Sequence, residues 1–229
     1  ITWGDKTEIT KKNNIKFVNF KLLNKKFFKN EKFFKNEKSD KLLILIRSKG
    51  YNTAPYDRCT EGMDQLNLTV KLCKKFSDEI KKNTIIRVHY SYLNSKIQLK
   101  ELPDFKIDYS QQNYFEAINS AKLILFNHDS TGMLEMFTSN KPTLCLWENG
   151  EQAQNTFVVE DYELLKKAKI LFDDKDKLND HLNKIWSNPL EWWYSDSVQN
   201  NLDKFVNLYT KIPDKNFNNN FEKIIKDRI

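Results

Sequence analysis

Short apolar runs alternate with amphipathic segments along most of the chain. The apolar runs predict five strands, at residues 41–48, 84–90, 122–126, 142–147 and 169–172. The amphipathic segments predict helices at residues 63–83, 113–121, 131–140, 162–168, 174–188, 195–211 and 218–229. Strands that are apolar throughout and separated by helices indicate a parallel sheet that is covered on both faces. We therefore predict an α/β, Rossmann-like fold with helices on both faces and the C-terminal helices packing back on it.

The first 40 residues differ from this pattern. The hexapeptide KFFKNE occurs at residues 26–31 and is repeated at once at residues 32–37. A tandem repeat of this kind is typical of a duplicated surface connector, although Phe pairs flanked by Lys also suit an anchor at a membrane interface. We predict two regions, an N-terminal junction segment at residues 1–40 and a main domain at residues 41–229.

Composition excludes several classes of protein. Hydrophobic residues make up 39% of the chain and charged residues 30%, which is the balance of a folded domain rather than a disordered one. No apolar run approaches the roughly 20 residues that a membrane-spanning helix needs. The first ten residues have neither the basic start nor the apolar stretch of a signal peptide. Because the chain does not begin with Met, we expect a fragment or a processed piece.

The net charge of +7 bears on possible partners. Abundant Lys and Asn are typical of proteins from an AT-rich genome. The surplus of positive charge also favours a phosphorylated ligand or an anionic membrane surface as partner. The Lys residues do not alternate with aromatic residues, so we expect no nucleic-acid partner. Cys59, Cys73 and Cys145 show no CxxC spacing and argue against a disulfide framework or a zinc site. We expect a reducing, cytoplasmic location.

The loop after the third predicted strand has a polar sequence that could bind an anion. It reads Asn127-His128-Asp129-Ser130-Thr131-Gly132. A helix that begins at Ser130 or Thr131 points free N–H groups and the positive end of its dipole at this loop. The two hydroxyls can add donors, and Gly132 lets backbone approach an anion closely. The pattern therefore predicts a phosphate site, with a simple helix cap as the alternative.

Titratable side chains near that loop are candidates for catalysis and ligand binding. His128 and Asp129 are the candidate catalytic residues, although His is also a common turn residue and Asp a common cap. Glu135 lies one helical turn beyond Thr131 on the same face. Its carboxylate can accept hydrogen bonds from ribose hydroxyls, or it can be an ordinary solvated helix residue. Asn127 is a further candidate for the pocket.

Two other strand ends face the same edge of the predicted sheet. Alternation along the second strand puts Arg87 and His89 on one side and Tyr90 on the other, and a cation with an imidazole suits a phosphate. An internal ion pair is the alternative for Arg87. The loop after Ile46 begins with Arg47 and is basic, but it matches neither a P-loop nor a GxGxxG pattern. The sequence contains no readable metal-ligand cluster, so we expect no metal and no cofactor.

Four stretches, in order along nearly the whole chain, resemble one family of GT-B sugar transferases from bacterial surface-polysaccharide loci. They are ITWGD at the start, IIRVHY, HDSTGMLEMFTSNKPTLCLW, and EWWYSDSVQNNLDKFVNLY near the end. The resemblance implies that residues 41–229 form the carboxyl-terminal half of a GT-B fold, which binds a nucleotide sugar. It also implies a missing amino-terminal half that supplies the acceptor site.

More distantly, the same layout resembles bacterial transferases that use CMP-Kdo, CMP-sialate or CDP-glycerol. In those enzymes a strand-end His, usually followed by Pro, and a later Ser/Thr pair grip the phosphate of a cytidine nucleotide. His89 and the pair Ser130-Thr131 stand at the matching positions, and Tyr90 stands where the Pro would be. The resemblance therefore implies a CMP- or CDP-linked donor.

Together these features lead us to expect a glycosyltransferase that moves a sugar from a nucleotide donor to a glycan or lipid-linked acceptor. Arg87, His89 and Gly132 would join the Ser/Thr pair on the phosphate, and Glu135 would bind the ribose. Other donor-pocket residues would be Arg47, Tyr90 and Asn127. The helix dipole and the cationic side chains can stabilise the leaving phosphate without a metal, and the basic surplus can hold the enzyme at an anionic membrane. Two alternatives stay open, a sugar-nucleotide epimerase on the same scaffold and a non-catalytic interaction domain.

Overall fold

Strands and helices alternate along the part of the chain that the computed structural model describes, which is residues 39–46, 61–89, 101–110, 112–128, 130–147, 156–210 and 226. The strands are Leu42–Leu45 (β1), Thr84–Arg87 (β2), Lys106–Asp108 (β3), Leu123–Phe126 (β4), Thr143–Leu146 (β5) and Leu171–Phe172 (β6). The helices are Glu61–Cys73 (α1), Asp78–Lys82 (α2), Tyr114–Asn119 (α3), Thr131–Thr138 (α4), Thr156–Lys167 (α5), Lys175–Ile185 (α6), Pro189–Trp193 (α7) and Asp196–Tyr209 (α8).

The strands form one parallel sheet in the order β3-β2-β1-β4-β5-β6. Leu45, at the end of β1, pairs with Arg87 on one side and with Phe126 on the other, so three strands end at the same level. The strand order reverses between β1 and β4, and sheets of this kind bind ligands at the carboxyl ends of the strands beside such a reversal. The predicted α/β, Rossmann-like fold is confirmed.

Both faces of the sheet are buried, because successive side chains of a strand point to opposite faces. Leu42 and Ile44 belong to a core with residues of α1, α2 and α6. Leu43 and Leu45 belong to a second core with residues of α3, α4, α5 and α8. Burying one such side chain contributes about 1.5 to 3 kcal/mol, so each apolar run stabilises the fold from both sides. The place of α8 in the second core confirms that a C-terminal helix packs back on the sheet.

The single helix predicted at residues 63–83 is wrong, because the structure divides this stretch into α1 and α2. The N–H of Phe76 donates to Cys73 O, which tightens the end of α1 into a turn. Ser77 then takes an extended conformation, and its hydroxyl accepts a hydrogen bond from the N–H of Ile80 to cap α2. The break lets the Phe76 ring pack edge-on against Phe105 at 6.4 Å between centroids.

Strand β3 has no counterpart among the predicted strands. It is three residues long, and two of them, Lys106 and Asp108, are charged, so no apolar run marks it. Asp108 is nevertheless buried, because it forms an ion pair with Arg87 on the neighbouring strand β2. Backbone pairing and this ion pair hold β3 at the edge of the sheet, and neither is visible in the hydrophobic pattern.

The fifth predicted strand, at residues 169–172, begins two positions too early. Lys169 has a left-handed φ of 56°, and the N–H of Ile170 donates to Leu165 O. This is the backbone arrangement that closes a helix C-terminus, so Lys169 ends α5 and β6 starts only at Leu171. Helix α5 in turn begins at Thr156, before the predicted start at residue 162.

Several predictions fall on residues outside the described ranges. These are residues 1–38 of the junction segment with its KFFKNE repeat, Cys59, and nearly all of the last predicted helix at residues 218–229. Cys73 and Cys145 are both buried, and burial raises the pKa of the Cys73 thiol. Within the described ranges, no helix combines the length and the apolar character that crossing a bilayer requires.

Candidate functional site

A cleft of about 380 Å³ opens where strands β1, β2 and β4 end. Its described lining residues are Leu45, Ile46, Arg87, Val88, His89, Ser110, Tyr114, Phe126, His128, Ser130 and Gly132. The position is the carboxyl edge of the sheet at the reversal of strand order, where α/β sheets place their ligands. The volume lies in the range of small-molecule sites. Five residues that the sequence predicts for the site therefore meet here: Arg87, His89, His128, Ser130 and Gly132.

The N-terminus of α4 contributes to the cleft through Ser130 and Gly132. Ser130 is extended, with φ −163° and ψ 162°, and its Oγ accepts a hydrogen bond from the N–H of Met133 at 3.2 Å. Ser130 is thus a helix cap and a cleft residue at the same time. Thr131 is exposed and Glu135 is partly exposed, and neither is among the described residues that line the cleft.

Gly132 makes room for a neighbouring side chain. A Cβ at this position would lie 3.0 Å from Tyr114 Oη and 3.5 Å from Phe126 Cε1. The prediction that Gly132 allows an anion to approach backbone is not tested by this contact, but the contact gives the glycine a steric role of its own. A Cβ at position 132 would require the Tyr114 phenol to move by a few tenths of an ångström.

Tyr114 and Ser110 are cleft residues that the sequence reasoning missed. Tyr114 is the first residue of α3, and helices between parallel strands begin at the edge where the strands end, so its place on a helix start was the available signal. Ser110 follows β3, which the hydrophobic pattern does not reveal. It has a left-handed φ of 61°, and its hydroxyl donates to Val88 O at 2.8 Å.

The positive charge of Arg87 is paired with the carboxylate of Asp108. Its Nη1 donates to Asp108 Oδ2 at 2.5 Å, and both side chains are about nine-tenths buried. The guanidinium carbon also lies 5.9 Å from the centre of the Tyr114 ring. The internal ion pair that the sequence left as an alternative is therefore present, while Arg87 still borders the cleft. An ion pair of this kind leaves only part of the positive charge for a ligand.

The buried side-chain amide of Asn127 contacts the His128 ring. Its Nδ1 lies 2.8 Å from Asn127 Oδ1, and Asn127 Nδ2 donates to Thr69 Oγ1 at 3.0 Å. Asn127 is 1% exposed and is not among the described residues of the cleft lining. Its contact with a ligand stays a prediction, whereas its contact with His128 is a feature of the fold. Three further predicted site residues, Arg47, Tyr90 and Asp129, lie outside the described residues.

The phenol of Tyr114 stays protonated. Burial raises its pKa most, the negative charge of Glu135 raises it further, and the positive charge of Arg87 lowers it in part. Burial also raises the pKa of the Glu135 carboxyl. Tyr114 therefore offers an O–H donor to the cleft at ordinary pH. Among the described residues, no group of three His, Cys, Asp or Glu side chains could hold a metal ion.

Comparison with known proteins gives a family for the chain. No curated protein matches it. The solved structure of the wall teichoic acid polymerase TagF matches 90% of this chain at 13% identity and a TM-score of 0.41. The match covers 48% of the TagF chain, so this chain spans about half the length of that protein. The family model of the LIC12162 family transferase matches residues 1–224, and the chain therefore belongs to this family of transferases.

Proposed function

We propose that this chain is the donor-binding half of a GT-B glycosyltransferase, which transfers a sugar from a nucleotide-activated donor. The observation that carries the proposal is the cleft at the reversal of strand order, where His89, His128 and Ser130 line one space. Membership of a transferase family supports it. The donor phosphate occupies this cleft beside the N-terminus of α4, whose free N–H groups favour an anion.

The chemistry follows from the charge that develops during transfer. As the sugar leaves the nucleotide, negative charge grows on the phosphate, and preorganised donors lower the barrier most at that point. The backbone of α4 and the hydroxyls of Ser130 and Tyr114 supply neutral donors. Because Asp108 already pairs with Arg87, the ring of His89 supplies a further hydrogen-bond donor beside that guanidinium.

The remaining predicted residues take supporting roles in this proposal. His128 accepts the proton of the acceptor hydroxyl, with Asp129 beside it in the sequence. Glu135 contacts the ribose of the donor, and the exposed Thr131 joins Ser130 at the phosphate. Arg47 and Tyr90 complete the donor pocket from the loops after β1 and β2. The donor is linked to CMP or CDP, as the sequence resemblance implies.

The acceptor enters from outside this half of the enzyme. A partner half, on the amino-terminal side of the GT-B fold, supplies the acceptor site, and the acceptor is a surface polysaccharide or a lipid-linked glycan. The net charge of +7 orients the protein on an anionic membrane, where lipid-linked acceptors reside.

A thermal-shift screen against CMP, CDP, UDP and GDP tests the proposal. A nucleotide at a hundredfold its dissociation constant stabilises the folded state by about 2.7 kcal/mol. For a chain of this size, that corresponds to a rise in Tm of about 5 to 10 °C. We expect at least one of the four nucleotides to produce this rise, with a cytidine nucleotide giving the largest effect.

Two matched variants tie the shift to the cleft. Ser130→Asp keeps a good helix cap but adds a negative charge at the proposed phosphate position, so it should abolish the nucleotide shift. Ser77→Asp makes the same change at the cap of α2, whose serine is not among the described cleft residues, and should leave the shift intact. No shift with any nucleotide, or an equal shift in Ser130→Asp, would contradict the proposal.

A further inference from the structure

Two serines line the cleft with opposite hydrogen-bonding roles. Ser110 Oγ donates its one hydrogen to Val88 O at 2.8 Å, so only its lone pairs remain to meet a ligand. Ser130 Oγ instead accepts the N–H of Met133 at 3.2 Å, which leaves its own hydrogen able to donate. We propose that Ser110 is a ligand-binding residue that accepts a hydrogen bond from an O–H or N–H group on the nucleoside part of the nucleotide.

The fold holds the Ser110 hydroxyl in its accepting role. Ser110 has a left-handed φ of 61°, a conformation that is costly for a residue with a Cβ. The N–H of Val88 donates to Asp108 O at 2.9 Å, so a backbone bond and the Ser110 hydroxyl both tie the end of β3 to Val88. Val88 is fully buried, and its carbonyl would lose this partner if Ser110 turned to donate elsewhere. A ligand group that can only accept is therefore disfavoured beside Ser110.

The two serines stand on opposite sides of the cleft. Ser110 is bound to the end of β2, whereas Ser130 follows β4, and these two strands flank β1. Neighbouring strands lie about 4.8 Å apart, so β2 and β4 are about 10 Å from each other. A ligand that contacts both serines is longer than a phosphate ion. Because a phosphate dianion offers only acceptors, it fits the donating side at Ser130, and a second group of the ligand lies at Ser110.

Charge and polarity on the β2 side favour a nucleoside as that second group. The positive charge of Arg87, at the end of β2, is paired with the carboxylate of Asp108. Between the two sides, Leu45 and Ile46 at the end of β1 give the cleft an apolar floor. An apolar floor with one fixed acceptor at Ser110 suits a ring that carries an O–H or N–H group. This inference rests on the proposed function and adds an orientation, with the phosphate toward β4 and the nucleoside toward β2.

Calorimetric binding of CMP, CDP, UDP, GDP and inorganic phosphate to the full chain tests the inference. Ser110→Gly removes the hydroxyl and keeps the left-handed backbone, which glycine adopts without strain. The nucleotide that binds the unmodified protein most tightly should bind this variant about threefold to tenfold more weakly. The affinity for inorganic phosphate should stay unchanged, whereas Ser130→Asp should abolish the binding of both.

Deoxy forms of that nucleotide distinguish the two sources of the hydrogen. If the group is a ribose hydroxyl, either the 2′-deoxy or the 3′-deoxy form should bind the unmodified protein and Ser110→Gly equally well. If the group belongs to the base, both deoxy forms should keep the full loss of affinity in Ser110→Gly. Either result supports the inference.

A matched control makes the same kind of change away from the cleft. Lys169 has a left-handed φ of 56° and is not among the described residues of the cleft lining, so Lys169→Gly should leave every affinity unchanged. Unchanged nucleotide binding in Ser110→Gly would overturn the inference, as would an equal loss of phosphate and nucleotide binding. Ser110→Ala serves under the same criteria if Ser110→Gly does not fold. Failure of all four nucleotides to bind the unmodified protein would contradict the proposed function and this inference together, whereas nucleotide binding that does not depend on Ser110 would contradict this inference alone.

Discussion

The indole Nε1 of Trp193 donates to Asn140 Oδ1 at 2.7 Å and joins the end of α4 to α7 across 53 residues of sequence. Gln199 Nε2 donates to the same oxygen at 3.2 Å, and Asn140 Nδ2 donates back to Gln199 Oε1 at 3.0 Å. These side chains belong to two of the stretches that carry the family resemblance. Part of that resemblance therefore reflects how the fold is held together and not how a ligand is bound.

Two glycine substitutions separate the backbone role of Asn140 from its side-chain role. Asn140 and Lys169 both end a helix with a left-handed φ, 51° and 56° respectively. Lys169→Gly should stabilise the protein by up to about 1 kcal/mol, because glycine adopts this conformation without strain. Asn140→Gly should destabilise it by about 1 kcal/mol, because Gln199 loses its partly buried amide partner and the Trp193 indole keeps only the Asn140 backbone carbonyl, at 3.1 Å. Urea unfolding measures both, and equal effects of the two changes would contradict this account.

The contact between Gly132 and Tyr114 predicts a coupled pair of mutations. Ala at position 132 would place its Cβ 3.0 Å from Tyr114 Oη, so the helix-forming advantage of Ala, about 1 kcal/mol, should be lost in Gly132→Ala. In a Tyr114→Phe background the oxygen is gone, and the same change should become stabilising. A double-mutant cycle of unfolding free energies measures the coupling. Additive effects of the two substitutions on the free energy of unfolding would show that the contact does not contribute to stability.

The buried pair of Arg87 and Asp108 should be far more sensitive than a surface pair. Asp108→Ala leaves a buried guanidinium without its carboxylate and should cost about 3 to 5 kcal/mol. Glu101→Ala breaks the exposed pair with Lys74 and should cost less than about 1 kcal/mol. Replacing both buried partners by Arg87→Met with Asp108→Leu should be milder than Asp108→Ala alone. Denaturant unfolding of the three variants tests this order, and an unchanged free energy of unfolding in Asp108→Ala would reject it.

His181 should make the protein sensitive to mild acid. Burial lowers its pKa to about 4, with the positive charges of Lys169 and Lys184 adding to the effect. An unfolded His titrates near 6.5, so the unfolded state binds more protons between these values. The contribution of neutral His181 to the free energy of unfolding is therefore fully present above about pH 6.5. It should fall by on the order of 2 kcal/mol as the pH drops toward 4.

A substitution isolates the contribution of His181 from that of the carboxylates. The ring packs between Phe172 and Trp192, at 5.3 and 5.1 Å between centroids, and its buried Nε2 has no hydrogen-bond partner in the described part of the chain. His181→Phe should therefore keep the packing and flatten the pH dependence of Tm between 6.5 and 4. An unchanged pH profile in this variant would mean that His181 does not titrate differently in the two states.

The hydrophobic pattern predicted the central strands of the sheet because these strands are apolar on both faces. Leu42, Ile44 and their neighbours on β1 are buried, and an unbroken apolar run of this kind is typical of a strand covered on both faces. It could not predict β3, where Asp108 is buried by an ion pair. It also could not show that Ser77 begins a new helix, since the apolar spacing continues through the break.

The sequence predicted those site residues that follow the ends of parallel strands, because these ends lie along one edge of the sheet. That rule brings together His89 and His128, which stand 39 positions apart in the sequence, and it selects Ser130. The rule carries no information on side-chain partners, so the pairing of Arg87 with Asp108 and the buried place of Asn127 appear only in three dimensions. Tyr114 was missed because its position at a helix start places it at this edge of the sheet but does not show that its side chain lines the cleft.

The most direct test of the central claim is a titration of the labelled protein with CMP, CDP, UDP and GDP, followed at the histidine ring signals. His89 and His128 line the cleft, whereas His181 is buried between Phe172 and Trp192 and serves as an internal control. We predict saturable shifts of the His89 and His128 signals with at least one nucleotide, and no shift of His181. Signals of His89 and His128 that stay unchanged at millimolar concentrations of all four nucleotides would contradict the account.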